Sequence, residues 1–583
     1  MMTFPAIPDD APFSGEQRAW LAGFMAGLNS RLVEAEATSA ASVARPRLSI
    51  LFGTQTGNAE QVAQEAAAAA RAQGFDPEVM GLDDVDMPRL AAMERVIVAT
   101  STYGEGEMPD NAHLFWQALS APDAPRLEAV GYAVLALGDS AYDGFCQAGK
   151  LIDTRLEQLG ARRLASRLDC DVDYERACAG WIASTLPQFP RPKGAEAPLA
   201  PVAAASTAPA RAEWSRRNPY PACLAVSRRL SGSESAKDIR HYEFDLTGSG
   251  LTYEAGDALG VMPLNDPVLV KALLARLGAA WEQPAPSGDR PLGEALLRHY
   301  EIRTPSRELI AAIEARAGDD QLTHVLRHGD REALDAWLWG RDVLDLVDLN
   351  PALSFDLAEF LGWLRPLQHR AYSISSSPLA HEGSVHLTIA AVRWQREGRQ
   401  HGGVCSTHLA DRLAEGGQAG IFMSPNKAFR PPTDPAVPMI MVGPGTGIAP
   451  FRGFLHHRKA QGAEGRNWLF FGDQHQASDF IYADELAEMS RDGVLTRLDL
   501  AFSRDQAEKI YVQTRMRENG RDLFAWLEEG AHVYICGDAS RMAKDVEQAL
   551  HDVIVVHGGL SAEAAADYVA RLRREKRYQR DVY

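Results

Sequence analysis

The chain has 583 residues, more than one hydrophobic core supports, so three or four domains are expected. With 78 Asp plus Glu against 60 Lys plus Arg, its formal charge of −18 at pH 7 argues against nucleic acid or an anionic membrane as main partner and favours a basic protein surface. No apolar run reaches the roughly 18 residues of a spanning helix, and "MMTFPAIPDD" lacks the basic start of a secretory signal, so a cytoplasmic, non-membrane protein is expected.

In chain order, residues 1–45 hold a helix-like stretch, "SGEQRAWLAGFMAGLNSRLVEAEA", and are expected to form an N-terminal helical extension. Over residues 46–186 the runs "LSILFG", "RVIVATS" and "GYAVLALGDS" alternate with alanine-rich helical periods, the pattern of a doubly wound parallel sheet. Residues 187–213, rich in Pro and Ala and poor in large apolar groups, read as a flexible linker. Residues 214–436 turn to strand runs with turn signals, broken by a helical insert at about 265–355, which predicts an antiparallel barrel with a helical module. Residues 437–583 return to strands separated by helices and predict a second parallel α/β domain. The six cysteines, Cys146, Cys170, Cys178, Cys223, Cys405 and Cys536, form no CxxC pair, so reduced thiols and no metal site are expected.

The loop "GTQTGN" after the first strand run fits neither common nucleotide loop. Asn58 follows Gly57 where a Walker loop needs lysine, and Gln55 replaces the second glycine of GxGxxG. It offers the hydroxyls of Thr54 and Thr56, the amide of Asn58 and the unpaired N–H groups of the next helix, donors suited to a single terminal phosphate. Ligands of open parallel sheets lie beyond the strand C-termini, so "STYGEGEMPD" and "LGDSAYDGFC" should complete the site, with Tyr103 and Tyr142 covering two faces of a flat ring. These loops resemble the flavodoxin-like FMN domain of diflavin reductases. The resemblance places FMN on Thr54, Gln55, Thr56, Gly57, Asn58 and Ala59, on Ser101, Thr102, Tyr103 and Gly104, and on Leu137, Gly138, Asp139, Ser140, Ala141, Tyr142, Asp143, Gly144, Phe145 and Cys146.

In "HRAYSISSSP", strand alternation puts Arg370 and Tyr372 on one side and Ser373 on the other. In "GGVCSTHLADRL", Ser406 and Thr407 precede a helical run and form a plausible pyrophosphate seat. The two stretches resemble the FAD-binding barrel of ferredoxin-reductase-like proteins. That resemblance implies that Arg370 pairs with the FAD diphosphate, Tyr372 stacks on the flavin and Ser373 approaches its N5. Ala371, Thr388, Ile389, Ala390, Trp394, Gly403, Val404, Cys405 and Ser406 would line the remaining cofactor.

"MIMVGPGTGIAPFRGF" is the most specific local signal. Gly443, Gly445 and Gly447 permit close backbone approach after a strand, and Pro450 suits the first turn of a helix facing a pyrophosphate. In "AFSRDQAEKIYVQ", Ser503, Arg504, Lys509 and Tyr511 supply two charges and two hydroxyls, which suits a phosphomonoester and favours NADPH over NADH. Cys536, at a strand end before Gly537, can stand beside the nicotinamide.

The whole chain resembles NADPH-dependent diflavin reductases, most closely their sulfite reductase branch, because "KRYQRDVY" ends in Tyr583 where reductases of haem monooxygenases typically carry tryptophan. This implies a multidomain α/β fold: a flavodoxin-like parallel sheet, an antiparallel FAD-binding β-barrel with helical insert, and a Rossmann-like NADP-binding domain of the ferredoxin-reductase-like type. It adds Gly445, Thr446, Ile510, Val512, Gln513 and Asp545 to the NADPH site and names Ser373, Cys536 and Asp581 as catalytic through polar contact. Tyr583 would shield the FAD ring, and the reduced FMN domain would swing on its tether to an acceptor.

The sequence offers no sirohaem or cluster ligands, so sulfite reduction would fall to a separate sirohaem/iron–sulfur haemoprotein. From Arg47 to Leu186, 21 acids against 11 bases give the FMN domain an acidic face for such a partner. The N-terminal stretch resembles a self-association segment, so a homo-oligomer is one expectation and docking on its own FMN domain the other. Two further readings stay open: a stand-alone diflavin reductase for another haem or metal acceptor, and a flavin-binding assembly subunit without turnover.

Overall fold

The computed structural model describes residues 45–140, 142–190, 214–286, 288–327 and 331–583. The expected helical extension, most of the expected linker and Ala141 therefore lie outside the described residues.

The first unit is a parallel sheet of β1 (Arg47–Gly53), β2 (Asp76–Gly81), β3 (Arg95–Ser101), β4 (Gly131–Leu137), β5 (Arg162–Arg163) and β6 (Leu168–Cys170). Its order is β2-β1-β3-β4-β5, with β6 also pairing β4. β4 is buried at every position because helices cover both faces, which is why it reads as an unbroken apolar run. Helix Asn58–Ala72 turns Ala59, Ala63, Ala66, Ala67 and Ala70 to the sheet, and these small side chains let it lie close over β1. The order reverses between β1 and β3, so the crevice opens where the first two predicted loops leave the sheet.

The second unit is an antiparallel barrel. Its strands are β7 (Tyr220–Arg229), β8 (Ile239–Asp245), β9 (Ala258–Val261), β10 (Arg370–Ser373) and β11 (Ser384–Ala390), then the hairpin β12 (Arg393–Arg396) and β13 (Arg399–Gly402), then β14 (Gln418–Ser424). The order β10-β9-β14-β7-β8-β11 is closed by a bridge between Ile374 and Leu387. Ala222, Leu224, Tyr242, Phe244, Leu259, Val261 and Ile421 fill the interior. Between β9 and β10 a helical insert begins at Pro267 and packs its own core. It continues past residue 355 to one more helix, Leu357–Trp363, whose Phe360 and Leu361 join that core. Seven residues capped by Asp356 are too few to show a helical period in the sequence.

The third unit is parallel: β15 (Met439–Val442), β16 (Asn467–Asp473), β17 (Arg497–Phe502), β18 (His532–Gly537) and β19 (Tyr578–Val582), in the order β17-β16-β15-β18-β19. Helices again cover both faces. β19, an edge strand with the mixed sequence YQRDV, carries the C-terminus alongside β18. Among the described residues no helix is long and apolar enough to cross a membrane.

A polar seam joins barrel to third unit. In the β8–β11 ladder, His386 faces Glu243 and Thr388 faces His241, which places these side chains on one outer face of the barrel. Tyr482 covers them, its hydroxyl 2.8 Å from His241 Nδ1 and 2.7 Å from Thr388 Oγ1. Arg452 reaches in from the helix after β15, donating to the Ser375 carbonyl at 2.7 Å and pairing with Glu485 at 2.8 Å. Burial, with Arg452 and His381 nearby, pushes the pKa of His386 down to about 2, and burial with Arg452 pushes His241 to about 3. Both imidazoles are therefore neutral at pH 7.

Candidate active site

The three loops of the first unit converge. After β1, Thr54 Oγ1 accepts from the Gly57 N–H at 2.9 Å, and Gly57 takes the left-handed conformation with φ of 85°. Helix Asn58–Ala72 then starts with no side-chain cap, so the amides of its first turn, at Asn58 and Ala59 among others, are open to an anion. Asn111 secures the loop by accepting from the Thr54 N–H at 2.7 Å, and the Gln55 carboxamide accepts from the Asp110 N–H at 3.0 Å. Thr56 sits in the same turn.

After β3, Ser101 donates to the Gly53 carbonyl and Thr102 to the Leu137 carbonyl, while Tyr103 and Glu107 exchange backbone hydrogen bonds around Gly104. The loop after β4 packs directly on this one, since a Cβ at Gly144 would lie 2.3 Å from the Glu105 carbonyl oxygen. Gly138 donates to the Cys170 carbonyl, and the Asp171 carboxylate accepts from the N–H and hydroxyl of Ser140. Cys146 is buried and donates to the Ala136 carbonyl at 3.4 Å, so it is a packed thiol behind the loop. Tyr142 is 46% exposed beside Asp143 and Phe145, a ring free to cover a ligand face. One phosphate seat, one half-open aromatic and a glycine-lined gap at the switch point fit a flavin mononucleotide.

In the barrel, Arg370 stands at the start of β10, its guanidinium 3.3 Å from Glu301 and donating to the carbonyls of Gln368 and His369. Tyr372, two residues on, packs on the barrel core beyond Ala371. Thr388 is turned to Tyr482 under the seam, with Ile389 inside the barrel and Ala390 packed toward the third unit. Gly403 opens the short turn Val404–Thr407, where Val404 and Cys405 are buried and Ser406 accepts from the Val392 N–H at 3.2 Å. Trp394 is sandwiched, with the Arg303 guanidinium 4.2 Å from its ring on one side and His401 stacked at 5.5 Å and 14°. Its N–H donates to the Gly340 carbonyl. Both partners lie far from Trp394 in sequence or across a hairpin, so only its edge is open to a cofactor.

The hydride-transfer candidates meet at one point. Ser373 Oγ donates to Asp581 Oδ2 at 2.5 Å, and Cys536 Sγ lies 4.0 Å from the same oxygen. Three chain segments deliver them: the end of β10, the end of β18 and β19, where Cys536 and Asp581 are register partners. Asp581 keeps some contact with solvent, but the protein packed around its carboxyl pushes its pKa up, against the opposing Ser373 hydrogen bond. Burial, reinforced by the Asp581 charge, pushes the Cys536 thiol well up, so it stays protonated at neutral pH.

The glycine loop lies directly over this centre. A Cβ at Gly447 would sit 2.2 Å from the Cys536 carbonyl oxygen, and one at Gly443 would strike the Gly447 carbonyl. Gly445 has φ of 58°, and Thr446 Oγ1 lies 2.9 Å from the hydroxyl of Tyr583, which is 64% exposed. Ser503 and Arg504 are fixed by backbone bonds to Asp473 and Gln474. The Arg504 and Lys509 side chains are exposed and have no ion-pair partner among the described residues, a pair of cations open to an anionic group. Ile510 packs on the domain core, Tyr511 opens the helix Val512–Glu518, and Gln513 donates to Asp545 at 3.2 Å.

Two residues here escaped the sequence reading. Lys237 of the barrel reaches over to Asp473 at 2.5 Å, close to Gly445, and Asp473 Oδ2 is buried with no hydrogen-bond partner. Neither carries a motif, and only the docking of two units brings them together.

The first unit rests on the other two. Among the described residues the ion pairs across this seam set acids of the first unit against bases of the rest, among them Glu60 with Lys427 at 2.6 Å, Asp84 with Lys576 at 3.3 Å, Asp110 with Arg580, Asp139 with Arg365 at 2.8 Å, Asp143 with Arg307, and Glu175 with Arg216 at 2.6 Å. Tyr103 donates to the Val582 carbonyl at 3.0 Å. A cavity of about 240 Å³ remains in the seam beside Thr54, Gly57, Lys427 and Arg580.

Comparison with known proteins finds three family models along the chain. The Flavodoxin family model matches residues 50–181, the FAD binding domain model residues 212–408, and the Oxidoreductase NAD-binding domain model residues 441–548. The chain is 44% identical to a "Sulfite reductase [NADPH] flavoprotein alpha-component" of Bacillus subtilis (strain 168), over 97% of this chain and 95% of that one. It is 41% identical to a protein of the same name from Klebsiella pneumoniae, over 98% and 96% of the two chains, and 42% identical to one from Escherichia coli O1:K1, over 97% and 95%.

Proposed function

Since the chain belongs to the sulfite reductase [NADPH] flavoprotein alpha-component family, an NADPH oxidoreductase family with FMN, FAD and NADPH as cofactors, we propose that it delivers electrons from NADPH to a separate sirohaem/iron–sulfur haemoprotein that reduces sulfite. When bound, the two flavins supply the conversion of a two-electron hydride into single electrons that such an acceptor can take. The observation that carries the reading is the meeting of Ser373, Cys536 and Asp581 beneath the glycine loop.

Around that point each residue has a definable task. Gly443 and Gly447 let backbone approach where any side chain would collide, which admits the nicotinamide end of NADPH against Cys536. Arg504 and Lys509, with Ser503 and Tyr511, hold the 2′-phosphate. Asp581 fixes the Ser373 hydroxyl and, with the protonated Cys536, provides a polar wall for the transferring hydrogen. Tyr583, anchored through Thr446 and exposed, is the ring that would shield a bound FAD. Arg370, Tyr372 and Ser406 hold the FAD; Thr54, Thr56 and the open amides at Asn58 hold the FMN phosphate.

The acidic seam of the FMN domain is met by bases within this chain, and the same acids suit a basic patch on the partner once the domain leaves. We place the domain limits at 46, 186, 213 and 436, the protein in the cytoplasm, and self-association in the first 45 residues. The test is reduction of a purified sirohaem haemoprotein. Holoprotein containing FMN and FAD should reduce it with NADPH and far less well with NADH. A protein that reduces cytochrome c but not the sirohaem partner would instead favour a reductase for another acceptor, and one that reduces neither would be a binding subunit.

A further inference from the structure

The last strand of the chain is gripped on both sides of its catalytic residue by the FMN domain. Arg580, immediately before Asp581, forms a two-pronged pair with Asp110, with Nε 3.1 Å from Oδ2 and Nη2 on Oδ1. Its third nitrogen reaches Glu547 at 3.2 Å. Immediately after Asp581, the Val582 carbonyl accepts from the hydroxyl of Tyr103 at 3.0 Å. Within the FMN domain, Asp110 is bonded through its N–H to Gln55 of the phosphate loop, at 3.0 Å, and Tyr103 belongs to the second flavin loop.

β19 is an edge strand, held in its sheet by β18 alone. Tyr578 and Val582 anchor the strand in the domain core, but its outer edge has no ladder neighbour, so the placement of Arg580 and Asp581 between them leans on side-chain contacts. Strand alternation sends Arg580 and Asp581 to opposite sides, so the ion pair with the FMN domain and the bond to Ser373 pull on one backbone from two faces. Planar, bidentate guanidinium–carboxylate geometry fixes direction as well as distance, which lysine cannot reproduce.

From this juxtaposition we infer that Arg580 is a positioning residue that makes the placement of Asp581 depend on docking of the FMN domain. The inference rests on the function proposed above. With the FMN domain docked, Arg580 and Val582 are both held and Asp581 lies on Ser373. With the domain away at an acceptor, both grips are lost and NADPH oxidation slows until the domain returns. Hydride is then drawn mainly when the FMN domain is in place to be recharged.

The test uses full-length holoprotein with both flavins. Small-angle scattering reports docking, and stopped-flow reduction with NADPH, protiated or deuterated at the transferred position, reports the hydride step. Arg580→Ala should loosen docking, slow flavin reduction roughly tenfold or more and raise the isotope effect, since small misplacements of a catalytic group carry penalties of that order. Arg580→Lys, which keeps the charge beside Asp110 and Glu547 but not the two-pronged geometry, should restore docking, rate and isotope effect only in part. Asp110→Asn leaves β19 itself untouched and should slow the same step. A released FMN domain with unchanged reduction rate and isotope effect overturns the inference, as does slow reduction in an Arg580 variant whose docking is intact. If NADPH fails to reduce the unaltered protein, the proposed function itself is refuted.

Discussion

Preference for NADPH over NADH is assigned to Arg504 and Lys509, and their removal gives a quantitative test. Both side chains are exposed and unpaired among the described residues, so neither has to abandon an internal partner to bind phosphate. A hydrogen bond to a charged group is worth about 1.5–3 kcal/mol, or roughly 10- to 150-fold in affinity. Solvent screening of two exposed cations puts each near the lower end. Arg504→Ala and Lys509→Ala should therefore each lower kcat/KM for NADPH about tenfold, and the double variant about a hundredfold if the two act independently. NADH lacks the phosphomonoester, so its kcat/KM should barely move. The assay is steady-state cytochrome c reduction with each nucleotide at two salt concentrations, because exposed contacts weaken as salt rises. Equal losses for NADPH and NADH would show that the cluster only supports the fold, and the assignment of the 2′-phosphate site would be wrong.

Other consequences follow from the same geometry. Gly447→Ala would force a methyl against the Cys536 carbonyl, so flavin content should survive while reduction by NADPH falls steeply; normal reduction in that variant contradicts the placement of the loop. The buried Cys536 thiol, its pKa well raised, should resist iodoacetamide at pH 8 in the native protein and react after unfolding, as peptide mapping would reveal. For His241 and His386 the folded pKa lies below the unfolded 6.5, so the unfolded chain binds more protons below that pH and stability must fall as pH drops. Each contributes about 1.4 kcal/mol per pH unit below 6.5. Thermal scans should show a lower Tm at pH 5 than at pH 7, with a shallower dependence in His386→Asn; equal slopes would mean the seam of Arg452, Glu485, His456, Tyr482 and Glu243 around these rings does not control it.

Much of this was legible before the fold. Parallel strands buried on both faces, such as Gly131–Leu137, leave unbroken apolar runs, and the loops that follow them carry their own chemistry in glycine and hydroxyl residues. The grouping of Ser373, Cys536 and Asp581 came from resemblance, since 163 residues separate the first two and no local pattern connects them. Strand β19 was invisible because its alternation mixes Gln, Arg and Asp with two buried positions. Its polar residues are explained only by the units it touches. The same holds for Trp394, whose faces are taken by Arg303 and His401, and for Lys237 with Asp473, where docking of barrel on sheet creates the contact. Periodicity reports which face of an element is buried; it does not report what another domain brings to that face.

The most direct measurement is an anaerobic titration of the purified protein with NADPH after its flavins have been released and quantified from a parallel sample. FMN and FAD should be present in equal amounts, and both should bleach as NADPH is added. A single flavin at saturation, or an absorbance spectrum that NADPH leaves unchanged, would contradict electron passage between two flavin sites on this chain.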